Sequence, residues 1–397
     1  MFELTEKLRK DFPVLQKGIY FDSACMSLKP RQVLDKMNEY YAQYSACAGR
    51  SIHSWSRRTE DEVAKARDEV RKLINCGEQE VVFTRNTTEG INLVANSLGL
   101  KTGDEVILSD KEHNSNLIPW LKLREIGIKI ITVPSNEDNT FNLKAFEKSF
   151  TGRTRLVSVV HASNLDGVSN PIKEIIKLAH NKGALCLVDG AQSVPHKEID
   201  VRKLDADFFA FSGHKMLGPT GTGVLYGKKA LLEKLDQFIV GGETVKDSTY
   251  DSFVPEDVPM KFEAGLQDYA GIIGLGEACR YLRNIGFSKI EKHELKLNRI
   301  MTDGLSGISK LKVIGPENPA LRSGIFSFVV DGMDIHHVAK MLDVSRGIMV
   351  RSGAHCVHSW FNKHYMKGSV RASSYVYNTS EEAQVFVDEM KKIIKLA

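Results

Sequence analysis

Seven short apolar runs alternate with amphipathic segments between about residues 60 and 230, and nothing else in the chain restricts its fold as strongly. The runs are EVVFT (80–84), EVILS (105–109), KIITV (129–133), RLVSVV (155–160), ALCLVD (184–189), DFFAF (207–211) and GVLYG (223–227). Segments such as 88–98, 117–126 and 172–181 lie between them with apolar residues at helical spacing. A strand that is apolar on both sides must be covered on both faces, and parallel strands need crossover connections long enough to hold a helix. The pattern therefore predicts an α/β fold built on a large, mostly parallel, seven-stranded sheet between helical layers.

After about residue 285 the texture changes. Polar helical patterns at 288–306, 334–343 and 380–395 surround strand-like runs at 311–315 and 324–330, which reads as a smaller α+β unit. A chain of 397 residues is long for one domain. The expected division is a large domain over 16–285 and a small one formed by 1–15 with 286–397, the boundary falling near a helix at 271–285. There is no fixed-period repeat, low-complexity tract or Pro/Ser linker.

The 54 basic and 50 acidic residues are interleaved and leave a net charge of +4, which asks for neither nucleic acid nor an anionic membrane. No apolar stretch reaches the ~18 residues that would suggest a membrane span. The N-terminus, MFELTEKLRKDFPVL, lacks the apolar core and cleavage site of a signal peptide. Six scattered cysteines show no CxxC and no zinc spacing, so a reduced, cytoplasmic enzyme is expected.

Chemistry concentrates where strands end. FSGHKMLGPTGTG (211–223) sets Lys215 between Ser212, His214 and a run of glycines, where the backbone turns tightly and a bulky group can come close. An amine in such a place suits Schiff-base chemistry with a carbonyl. Asp189 ends the run ALCLVD, at the strand end that faces the ligand crevice of an open α/β sheet. It can cap the next helix, or it can lie beneath a pyridinium and keep the ring nitrogen protonated.

Thr87 and Thr88 begin a helical pattern directly after a strand, as an ordinary cap or as a phosphate cradle. Ser212 and His214 can add phosphate contacts or serve the turn. His113, at another strand-to-helix junction, is a structural histidine or one that stacks on a flat ring and shuttles protons. Arg351 and Arg371 carry the fork that grips a carboxylate in two places. Cys356, in a small-residue turn between His355 and His358, is an inert thiol or a nucleophile. The His355–His358 spacing lacks a carboxylate or further cysteine, so no metal is expected.

Together these residues resemble the class V aminotransferase group of fold-type I pyridoxal 5'-phosphate (PLP) enzymes. They are most similar to the sulfur-mobilising cysteine desulfurases of SufS/CsdA type, with selenocysteine lyases very near. The resemblance runs nearly end to end, through YFDSACMSLKP (20–30), GRSIHSWS (49–56), TTEGINLVANS (87–97), HNSNLIPW (113–120), HASNLDGVSNPI (161–172), VDGAQSV (188–194), FEAG (262–265), RSGAHC (351–356) and VRASSYVYNT (370–379).

The resemblance implies that Lys215 carries PLP and moves protons. It gives Asp189 to the ring nitrogen, Gln192 to the phenolic oxygen, and His113 to the ring face. Thr87, Thr88, Ser212 and His214 would hold the phosphate. Asn164 and Arg371 would receive the substrate carboxylate, with Arg351 and Arg50 near the entrance. Cys356 would take sulfur from L-cysteine as a persulfide and leave L-alanine.

A homodimer is implied, as is a sulfur-acceptor or iron-sulfur scaffold partner, which usually speeds turnover when the loop before the thiol is as short as here. Selenocysteine lyase, or another class V lyase or epimerase, is the alternative. A catalytically idle scaffold sits poorly with intact Lys215, Asp189, His113 and Arg371.

The chain also departs from the family pattern. Leu266 stands where a threonine usually reaches the neighbouring subunit's phosphate. Ala354–His355 replaces a double histidine, and the loop VHSWFNKHYM (357–366) is unusually aromatic and basic.

Overall fold

The computed structural model describes residues 2–396. Its large sheet has seven strands in the spatial order Val81–Thr84, Gly223–Gly227, Phe208–Ser212, Leu185–Asp189, Thr154–Val160, Glu105–Ser109 and Lys129–Val133. The five strands from Phe208–Ser212 to Lys129–Val133 pair in parallel, and only Gly223–Gly227 runs against the rest. The chain thus has the mixed α/β architecture, with a large and mostly parallel seven-stranded sheet, that the apolar runs imply.

Alternate side chains explain why the strands are continuously apolar. Phe83, Ile107, Val157, Val188, Phe209 and Val224 are buried in one core, and their neighbours Val82, Leu108, Leu156, Leu187, Phe208 and Leu225 in another on the opposite face. The first core includes residues of the helices Ser54–Ile74 and Tyr269–Ile285. Those helices approach closely: a Cβ on Gly276 would lie 2.6 Å from Ala66 Cα.

Element ends differ from the sequence pattern by a residue or so, for local reasons. The strand expected at 207–211 runs over Phe208–Ser212. Asp207 instead accepts from the Cys186 amide (2.8 Å) and pairs with Lys228 (2.8 Å). The single helix expected at 117–126 is Asn114–Lys122 followed by a 3-10 turn, Leu123–Ile126, which ends at the left-handed Gly127. The C-terminal helix, Ser380–Ile394, starts at a capping box between Thr379 and Glu382.

A second, antiparallel sheet orders Leu311–Ile314, Ile325–Val330, Ser369–Ser373 and Arg351–Gly353. Its own core joins Phe326, Phe328, Val370 and Ala372 to Leu297, Met301, Leu342, Phe386 and Met390. The N-terminal segment ties the two cores together. Phe12 packs edge-on against Tyr281 and Tyr377, and Arg9 pairs with Glu382 at 2.9 Å.

Candidate active site

Strand direction gathers the site. Because neighbouring strands are parallel, Asn86–Thr88, His113, Asn164, Asp189–Gln192 and Ser212–Lys215 all follow strands that end on one edge of the sheet. There they line a cavity of about 190 Å³ with Ala24, Cys25, Ser115, Arg351, His355 and Arg371. Of the residues singled out in the sequence, Lys215, Asp189, Gln192, His113, Thr87, Thr88, Ser212, His214, Asn164, Arg351 and Arg371 share this wall. Arg50 is not brought to it; its side chain is half exposed and pairs with Glu243. Cys356 is not on the wall, but its Sγ lies 3.9 Å from Arg351 Nη2.

Lys215 and Asp189 face each other electrostatically. Burial pushes the lysine below its ordinary pKa and the carboxyl above its own, and the attraction between them opposes both shifts. Asp189 accepts from the Ala191 amide at 2.9 Å. Lys215 Nζ makes no hydrogen bond among the described residues, which leaves the amine free to react.

The helix Thr87–Ser97 starts at the same edge, with Asn86 capping the Glu89 amide at 3.0 Å. A glycine is required opposite it, since a Cβ on Gly223 would lie 2.6 Å from Asn86 Cα. The hydroxyls at this helix start satisfy one another: Thr87 Oγ1 lies 2.6 Å from Ser212 Oγ, and Thr88 Oγ1 lies 2.7 Å from Ser115 Oγ. The Thr87 amide donates to Ser212 Oγ at 2.8 Å. Four small hydroxyl groups around a helix N-terminus are the donor set a phosphate monoester needs.

His113 caps the next helix. Its Nδ1 accepts from the Ser115 amide at 3.1 Å, which puts the proton of the neutral ring on Nε2. Burial, then the nearby Lys215, Arg371 and Arg351, push its pKa down to about 3, so the ring stays neutral at physiological pH. His214 is likewise held down, to about 4, by burial and by Lys215 and Lys29. A neutral imidazole suits stacking on a flat ring better than an imidazolium does.

Three buried polar atoms of residues on this wall lack hydrogen-bond partners among the described residues: Gln192 Oε1, His355 Nδ1 and Arg371 Nε. The Gln192 amide nitrogen donates to Ala24 O at 2.7 Å, which fixes the side chain on the wall. The flat-ring companion His113, the acid Asp189, the free amine Lys215 and the hydroxyl-rich helix start together fit a PLP-sized phosphorylated pyridine.

Arg371 and Arg351 are direct cross-strand partners, Arg351 opposite Arg371 in the antiparallel pair. Like charges so placed repel. Asp22 offsets this by accepting from Arg371 Nη2 at 3.2 Å. Burial still lowers the Arg371 pKa and raises that of Asp22. Arg371 Nη1 donates to Asn164 O at 2.9 Å, and Asn164 Nδ2 donates to His355 O at 2.7 Å. Arg351 Nη2 lies 3.9 Å from Cys356 Sγ. Both His355 and Cys356 adopt left-handed backbone conformations, with φ of 48° and 60°.

Sequence reasoning missed Asn86, Ser115, His355 and Cys25 as parts of the wall. Ser115 was signalled only by standing two residues after His113. Cys25 was signalled only by a polar, small-residue stretch after an extended segment.

The sequence profile described as "Aminotransferase class-V" matches residues 19–386. Among curated proteins, a "Probable cysteine desulfurase" of Methanothermobacter thermautotrophicus is 42% identical, with 99% of each chain covered. A "Cysteine desulfurase" of Shigella sonnei is 38% identical, covering 98% of each. Among solved structures, the apo cysteine desulfurase of Thermococcus onnurineus superposes with a TM-score of 0.96 at 38% identity, over 99% of this chain and 98% of the other. The Escherichia coli cysteine desulfurase CsdA, in an S-sulfonic acid form, gives 0.92 at 33% identity over the same shares.

Proposed function

The chain belongs to the class-V aminotransferase family, and on that footing we propose that it is a PLP-dependent cysteine desulfurase that converts L-cysteine to L-alanine and keeps the sulfur as a persulfide on Cys356. The observation that carries this reading is the reach of Arg351 from the cavity wall to a thiol, 3.9 Å from Cys356 Sγ. A lysine, an acid and a phosphate cradle would serve many amino-acid reactions; a thiol at the edge of the carboxylate grip selects sulfur transfer.

PLP, bound to Lys215, supplies an electron sink that labilises the bonds at the substrate's Cα and Cβ. The protein's residues do the rest. Burial lowers the Lys215 pKa and so favours the free amine, the form that attacks a carbonyl and takes a proton from Cα. Asp189 would pair with a protonated ring nitrogen. His113, held neutral by burial, would stack on the ring without adding a charge there.

Thr87, Thr88, Ser212 and His214 hold the phosphate. Gln192 holds the ring oxygen. Arg371, through its unpartnered Nε, and Asn164 orient the substrate carboxylate, with Arg351 beside them. Arg50 reaches substrate only through a neighbouring subunit or a movement of its own loop. The Cys356 thiolate attacks the substrate sulfur, a new S–S bond forms as the Cβ–S bond breaks, and the carbon skeleton leaves as alanine after gaining a proton at Cβ and regaining one at Cα from Lys215.

The outer sulfur then passes to an acceptor, an iron-sulfur scaffold protein or a related carrier. We place the enzyme in the cytoplasm as a homodimer. The described helices include none long and apolar enough to cross a membrane. Leu266, 65% exposed in the single chain, is an apolar residue such a dimer would cover. We assign 16–285 to the large domain and 1–15 with 286–397 to the small one; the separate cores of the two sheets support two units, while Phe12 and Leu15 pack in the core of the large sheet and Phe21 in that of the small one.

Product analysis with L-cysteine and with L-selenocysteine, together with peptide mass mapping, tests the function. Alanine from L-cysteine with an extra sulfur on Cys356 is expected. The Cys356→Ala variant should keep the absorbance of the lysine-bound cofactor and lose sulfur transfer. Turnover of selenocysteine alone would make the chain a selenocysteine lyase, and wild-type sulfur release by Cys356→Ala would sink the mechanism.

A further inference from the structure

The reaction above uses one thiol, yet Arg351 touches two. Its Nη1 donates to Cys25 Sγ at 2.8 Å, and its Nη2 reaches Cys356 Sγ at 3.9 Å. Both cysteines are free and half-buried, whereas Cys76, Cys186 and Cys279 are buried. The cavity wall includes Cys25, with Lys215 and Arg371, but not Cys356. Both cysteines are near enough to Lys215 to interact with it electrostatically.

Neither thiol hangs on a free segment. The Cys25 amide donates to Asp22 O at 3.0 Å. Its neighbour Ala24 is held on both sides, by Ser373 Oγ (3.0 Å) and by Gln192 Nε2 (2.7 Å). On the other side of the guanidinium, Cys356 O accepts from the Asn114 amide at 2.7 Å. Two fixed backbone positions therefore aim two sulfurs at one cation.

We infer that Cys25 is a second sulfur station, which takes the outer sulfur of the persulfide on Cys356. This rests on the desulfurase reading. A persulfide lengthens the Cys356 side chain by one S–S bond, about 2.05 Å, beside the guanidinium that the two sulfurs share. The Cys25 thiolate attacks the outer sulfur, a new S–S bond forms on Cys25, and the bond to Cys356 Sγ breaks. Cys356 leaves as a thiolate, and the persulfide proton stays on the transferred sulfur. No electrons are gained or lost overall, so neither oxidant nor reductant is needed.

Arg351 suits this exchange because the anion only changes ends. It begins on Cys25 beside Nη1 and finishes on Cys356 beside Nη2, so the same guanidinium faces it before and after. Once relieved of its sulfur, Cys356 can accept a second one before any external acceptor arrives.

The test uses the PLP-loaded wild-type enzyme, a few equivalents of L-cysteine, no acceptor and no added thiol, with rapid alkylation and peptide mass mapping. The expected result is an extra sulfur on the Cys356 peptide first and on the Cys25 peptide afterwards, with a burst of about two alanines per subunit. Cys356→Ala should leave both peptides unmodified. Cys25→Ser should carry sulfur on Cys356 alone, with the burst reduced to about one.

Wild-type mapping with sulfur confined to Cys356 and a burst of one would overturn the relay, and it does not depend on how any variant folds. Loading of Cys25 in Cys356→Ala would also overturn it, since Cys25 would then be taking sulfur directly from substrate. A wild-type enzyme that makes no alanine would instead refute the desulfurase reading.

Discussion

The wall that fits the cofactor and the loop that carries the thiol meet at one cavity but are built in opposite ways. The wall is assembled from the ends of buried parallel strands, with Asp189 and Ser212 as their last residues and Lys215 on the turn just beyond. The loop leaves the edge strand of the smaller sheet and turns through two left-handed non-glycine residues, His355 and Cys356. The groups proposed to hold the ring thus sit on the ends of buried strands. The thiol proposed to select the reaction sits on a strained excursion. On the proposed function, cofactor binding and reaction choice are set by separate parts of the chain.

The sharpest way to break this comparison is to remove the amine. Lys215→Ala should abolish the absorbance of the lysine-bound cofactor and reduce alanine formation on the order of 10⁴-fold or more, as loss of a covalent nucleophile does elsewhere. A variant that kept both would show that the wall does not anchor the cofactor.

Next comes the support beneath the wall. Lys111 and Asp166, 1% and 0% exposed, form an ion pair at 2.8 Å that ties the His113 turn to the Asn164 turn. Lys111→Met leaves Asp166 buried without its partner and should cost about 3–5 kcal/mol in denaturant unfolding. A loss below 1 kcal/mol would mean that the two turns are held independently.

Glu112 gives a third measure. It accepts from Ser109, Asn116 and the Val160 amide (2.5, 2.6 and 3.1 Å), and burial pushes its pKa up to about 8 from 4.5. A raised carboxyl pKa contributes fully below the unfolded value, and that contribution is lost as pH rises through the folded one. Stability should therefore fall between pH 4.5 and 8, by up to about 1.4 kcal/mol per pH unit. Glu112→Gln should flatten that slope in denaturation curves measured at pH 5 and 8.

The smallest effect lies in the loop. Glycine tolerates the left-handed backbone at Cys356 better than alanine, so Cys356→Gly should be about 1 kcal/mol more stable than Cys356→Ala. Equal stabilities would mean that the turn is not strained.

The same contrast decides what could be read from the sequence. Strands buried on both faces leave an unbroken apolar record, so the seven-stranded sheet and the residues at its carboxyl edge were legible. Lys215, Asp189 and His113 were found because each follows such a run. Cross-strand partners in the smaller sheet leave no such record: nothing in the spacing of Arg351 and Arg371 says that they face each other. Cys25 was hidden for a related reason. It reaches the cavity through the isolated bridge that pairs Asp22 with Ser373, a contact between residues far apart in the chain. Arg50 matched a motif, yet in the single chain it pairs with Glu243 away from the cavity.

The register of that arginine pair has an evolutionary corollary. Arg351–Gly353 and Ser369–Ser373 are clamped by their own ladder, so the chain between them can lengthen or shorten without turning either guanidinium away. Insertions and deletions in that excursion move the thiol, and with it the His355 carbonyl that holds Asn164, but leave the two guanidinium groups in register. On the proposed function, the reach of the sulfur can therefore be retuned while the two arginines proposed to grip the amino-acid carboxylate keep their register.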